Sequence, residues 1–83
     1  MTDTVYARSV RHNLATLMTY VDTVEHFQKR HAAELREALN EALSLAVALR
    51  MSGVRVLLVM AMGVFHPVTA IRQVHRFLEK AAH

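Results

Sequence analysis

The chain has neither cysteine nor tryptophan, one proline (Pro67) and two glycines (Gly53 and Gly63) in 83 residues. The missing thiols exclude a disulfide staple, a cysteine nucleophile and a thiolate zinc site, which suits the reducing cytoplasm. The scarcity of backbone breakers leaves long stretches free to run as helix. No apolar run reaches bilayer length either: VRVLLVMAMGVF, from Val54 to Phe65, contains Arg55 and stops well short of the ~20 residues a crossing needs. MTDTVYARSV at the N-terminus lacks an apolar core behind a basic start, so no export signal is expected and a cytoplasmic location is.

Motifs that carry chemistry are missing too. There is no glycine-rich phosphate loop, and no serine or threonine stands beside a histidine at a spacing that activates a nucleophile. Six histidines are present, and Asp22 with His26, His31 with Glu34, and His75 with Glu79 and His83 fall at helical spacings. Three ligands strung along two turns of one helix cannot converge on a single ion, so these read as solvated ion pairs. The expectation is no catalytic residue, no metal, no cofactor and no enzyme.

What the chain does have is apolar surface. Hydrophobic residues make up 53% of it and the mean hydropathy is +0.18, although a domain this small hides only roughly 60% of its unfolded surface. The surplus predicts cover from another subunit or protein, a homodimer being the simplest arrangement. Methionines Met51, Met60 and Met62, with Phe65, cluster around the apolar run, and flexible thioethers suit a surface that adapts to a partner as well as they suit a core.

Periodicity sets the fold class. Val10, Leu14, Leu17, Val21 and Val24 recur at alternating steps of four and three, as do Leu35, Ala38, Ala42, Leu45 and Leu49, an apolar stripe only a helix displays. Met18, Phe27, Leu39 and Leu43 widen it to the face of a packed bundle, and Asp3 or Thr4 is the candidate N-cap. Between the two runs lies polar QKRH. Either a tight turn near Lys29 to Ala32 makes an antiparallel hairpin, the preferred reading, or one long helix runs through. Ser52-Gly53 is a break in which glycine supplies the left-handed residue. Residues 54–62 are expected as a short helix, apolar all round, ended by Gly63 and buried as the central rod, with an intermolecular strand as the other reading. On that view Leu58→Asp buries an unpaired charge. Pro67 suits the first position of a last helix through Ile71, Val74, Phe77 and Leu78. The expectation is one all-α domain over residues 1–83, a small bundle of three to four helices.

Charge is uneven. The net charge is +3, yet from Arg50 onward five Lys/Arg face only Glu79. Arg72, Arg76 and Lys80 recur every four residues along one edge of the last helix, a basic margin for an acidic partner. The same segment has the outline of a helix-turn-helix, with Gly63 in the turn and Thr69, Arg72, Gln73 and Arg76 able to reach bases or phosphates. Two functions follow. The first is a small protein-interaction module, such as an adaptor, a chaperone-like subunit or a phage-type inhibitor, that works by occlusion through Met51, Met60, Met62, Phe65, Arg72, Arg76 and Lys80. The second is a dimeric regulator that binds nucleic acid with the last helix.

Overall fold

Thr4 opens the first helix: its side-chain oxygen accepts from the Ala7 N–H at 3.0 Å, satisfying one of the donors that every helix start leaves over. The computed structural model describes residues 4–82, so Asp3, the other candidate cap, and His83 lie outside the described residues. Four long helices and one single-turn helix follow: α1 Val5–Thr23, α2 Phe27–Arg30, α3 Ala32–Ala48, α4 Gly53–Phe65 and α5 Pro67–Ala81. The all-α bundle is as the periodicity predicts, and residues 54–62 are helix rather than strand.

The break between the first two stripes falls earlier than the polar QKRH suggests. Val24 is already extended, His26 takes the left-handed conformation at φ 60°, and α2 takes in Lys29 and Arg30 of the expected turn. Rings hold this corner in place of glycine. Tyr20 stacks on Phe27 with centroids 5.9 Å apart, and Phe27 meets His31 at 4.5 Å.

Arg50, not a glycine, makes the next left-handed turn, at φ 68°. Its N–H donates to the Val47 carbonyl at 3.0 Å and the Met51 N–H reaches back to the Ala46 carbonyl at 2.8 Å, the paired bonds of a Schellman motif. Met51 is tucked beneath, 6% exposed. Ser52 then caps α4 by accepting from the Arg55 N–H at 3.2 Å, which leaves Gly53 as an ordinary first helical residue.

Helix directions follow from which residues meet. Asp22 bonds Arg72 and Arg11 approaches Glu79, so α1 runs antiparallel to α5. Arg55 lies over Phe77 while Gly63 approaches Ala70, so α4 is antiparallel to α5 as well. Gly63 also abuts Leu39, and Val47 shares a groove with Val56, so α3 opposes α4 and runs with α5. It follows that α1 and α3 are antiparallel and pack together, the hairpin reading rather than one long helix, although the unbroken phase of the stripe would have suited the long helix.

The central rod is α5, which packs against α1, α3 and α4 and buries Ala70, Ile71, Val74 and Leu78 completely. This corrects the expectation that the Val54 to Met62 element lies at the centre. Helix α4 continues past Gly63 to Phe65, and Val59 and Gly63 are its buried residues. The molecule measures 37 × 26 × 16 Å, and its thickness leaves little room beyond one helix-to-helix spacing of about 8–10 Å. An outlying helix in so thin a body is covered on one side only. Gly63 lets α4 come close on that side, since a Cβ there would lie 2.5 Å from Leu39 Cδ2.

Candidate functional site

At 100° per residue, Val59, Gly63 and half-buried Val56 turn toward α3 and α5, and Val54, Leu57, Leu58, Ala61, Val64 and Phe65 turn away. These outward residues recur at the three- and four-residue steps of a helix that packs on something, yet none of the described residues packs on them. Exposure runs from 62% at Leu58 to 80% at Phe65. The face carries no charge. Its five large side chains, each about two-thirds bare, leave on the order of 600 Å² of surface open, the upper end of the size at which a patch on a monomer is often functional. The total accessible surface, 5567 Å², also exceeds the roughly 5,000 Å² expected of a 9.4 kDa monomer.

Grooves flank the face on both sides. Toward α3, an open trough of about 500 Å³ is lined by Asn40, Leu43, Ser44, Val47, Val56 and Met60, and Arg36 stands at the adjoining recess beside Val64. Toward α5, a groove of about 170 Å³ is lined by Arg55, Gln73, Arg76, Phe77 and Lys80. The Arg55 guanidinium sits 5.6 Å from the Phe77 ring centroid, within cation–π range.

The structure divides the candidate contact residues. Phe65 lies on the bare face and Met60 is exposed beside it, as a docking surface requires. Met51 is not available: it is buried beneath the Schellman turn, because the left-handed Arg50 folds the chain back over it. Met62 is half-buried against the core. Arg76 and Lys80 are exposed on the groove. Arg72 leaves their edge, since its Nη2 donates to Asp22 Oδ1 of α1 at 2.6 Å. Arg55 joins the basic margin in its place. The signal that could have found it is plain in the sequence, where it is the one charge between Val54 and Phe65.

The helix-turn-helix outline is not formed. Gly63 lies inside α4 rather than in a turn, and only His66 separates α4 from α5, whereas that motif uses a turn of three or four residues. Thr69 is exposed in the first turn of α5 and Gln73 faces the groove. With α1, α3 and α4 all packed on it, α5 presents an edge rather than a free helix for a major groove.

The histidine pairs are separate from one another. His26 lies 3.2 Å from Glu25, rather than pairing with Asp22, and His31 lies 3.6 Å from Glu34. His75 Nε2 is 3.2 Å from Glu79 Oε1 but out of hydrogen-bond alignment, and Glu79 also approaches Arg11 at 3.9 Å. Among the described residues no three His, Cys, Asp or Glu converge as metal ligands, and no helix is long and apolar enough to cross a membrane.

Compared with protein-family models, curated proteins and solved structures, the chain matches none, which leaves geometry as the ground for function.

Proposed function

We propose that this chain is a protein-interaction module that docks another polypeptide on the outward face of α4 and works by occlusion, in the manner of an adaptor, a chaperone-like subunit or an inhibitor. One observation carries the reading: Val54, Leu57, Leu58, Val64 and Phe65 form a charge-free stripe, each more than three-fifths exposed, on a helix whose other side is anchored in the core. A rigid apolar ridge between two troughs fits an amphipathic helix laid along it, the mode in which anchors at i, i+3, i+4 and i+7 supply the contact. Such a module needs no metal, cofactor or catalytic group.

A second copy is the competing occupant. It would set this chain's own cations, Arg55, Arg76 and Lys80, beside one another, so self-association through α4 meets like-charge repulsion at the rim. Selection of random peptides displayed against the wild type and against Leu58→Asp/Phe65→Asp tests the proposal. The wild type should enrich sequences with helical apolar spacing and the double variant should not. Equal enrichment by both proteins, or none by either, overturns the reading.

A further inference from the structure

We infer that the groove between α4 and α5 reads the acidic flank of the same amphipathic helix whose apolar stripe covers α4. The inference rests on the docking role of α4 and adds to it the charge of the partner. Arg55, Arg76 and Lys80 come from two helices to one groove, and no carboxylate of the described residues lies within ion-pair distance of any of them. Elsewhere on α5 the cations and anions are matched: Arg72 has Asp22, and Glu79 has Arg11 and His75. Within α4 and α5, the unmatched charge of the described residues is therefore confined to this groove.

Geometry ties the groove to the bare face. Leu58 is three residues beyond Arg55, one turn along and about 60° round the helix, so Arg55 borders the bare face and a helix resting on Leu58 brings its flank over Arg55. On α5, Gln73, Arg76, Phe77 and Lys80 fall at i, i+3, i+4 and i+7 and form one continuous edge. Arg76 and Lys80 are separated by about 6 Å along the axis, which is also the rise between carboxylates four residues apart on a partner helix. The Phe77 ring beneath Arg55 fixes the guanidinium in place, so less side-chain freedom is lost when a carboxylate binds it. At the far border stands Arg36, another cation with no ion-pair partner among the described residues. A second copy of this chain would bring more cations to the rim; an acidic helix brings the missing charge. Duplex DNA could engage the groove through phosphates, but it would leave Val54, Leu58 and Phe65 lying against a polar backbone that offers them nothing.

A display library of helices with a fixed apolar stripe and a flank randomised among Glu, Gln and Lys tests the assignment. The wild type should enrich Glu flanks, and a Glu-flanked helix should bind about tenfold more tightly than its Gln twin at about 50 mM salt, the advantage shrinking at higher salt. Arg55→Ala/Arg76→Ala/Lys80→Ala should erase that advantage while binding the Gln twin as before, with its helical circular dichroism confirming the fold; should it not fold, Arg76→Gln/Lys80→Gln serves. Indifference of the wild type to the flank overturns the groove assignment and leaves the docking role of α4 standing. No enrichment of any helix over Leu58→Asp/Phe65→Asp removes both. Retention of a DNA duplex that is lost in the triple variant replaces the acidic helix with nucleic acid.

Discussion

Two neighbouring substitutions on α4 test its orientation. Leu58 is 62% exposed and Val59 is 2% exposed, so placing aspartate at one or the other sends a charge outward or into the core. Val59→Asp forfeits about 1.5–3 kcal/mol of apolar burial and adds several kcal/mol for a desolvated carboxylate with no partner. Domains hold roughly 0.05–0.15 kcal/mol per residue, or about 4–12 kcal/mol for a chain of this size, so that variant should be largely unfolded at room temperature. Leu58→Asp loses only helix propensity, about 0.5 kcal/mol, and its Tm should fall by roughly 2–4 °C. Thermal melts followed at the helical circular dichroism band read both. If Leu58→Asp collapses as Val59→Asp does, α4 is buried on all sides and the outward face does not exist; if Val59→Asp folds normally, the helix is rotated from the position described.

Arg50→Gly should stabilise the fold by about 0.5–1 kcal/mol, since glycine takes the left-handed conformation without the strain arginine bears at φ 68°; an unchanged or lower melting temperature would count against the Schellman turn. Gly63→Val should cost about 1–3 kcal/mol through overpacking against Leu39, and Gly63→Ala less because alanine favours helix; denaturant melts in which valine is neutral would show that α3 and α4 are farther apart. Arg72→Ala should lose under about 1 kcal/mol, because both partners of its bond to Asp22 are about half exposed, and a larger loss that persists in high salt would mean the pair is buried. A strong chelator should leave the melting temperature unchanged, and a fall of several degrees would make His75 and Glu79 the first residues to mutate.

How much was legible in the chain varied with the kind of signal. The stripes placed Val10, Leu14, Leu35, Ala42 and Leu45 in the core correctly, because a one-sided helix writes its orientation into its period. Pro67 at the start of α5 and Thr4 at the cap were readable for similar local reasons. Helix α4 was not: apolar residues all round it give no phase, so only tertiary contact reveals which side is covered. Helices can also end without glycine. Val24 and His26 close α1 with support from stacked rings, and Arg50 closes α3 with support from buried Met51, and neither kind of support is visible in local sequence. The basic edge was half legible, as spacing found Arg76 and Lys80 but could not show that Asp22, fifty residues away, captures Arg72.

The docking role of α4 is tested most directly by hydroxyl-radical labelling of Leu57, Leu58, Val64 and Phe65, first in the isolated chain at low micromolar concentration and then with the tightest-binding acidic-flanked helix added. Strong labelling of the chain alone and protection of all four on binding are expected, with Val59 unlabelled throughout. Weak labelling in the isolated monomer, or labelling that the bound helix leaves unchanged, would contradict that role.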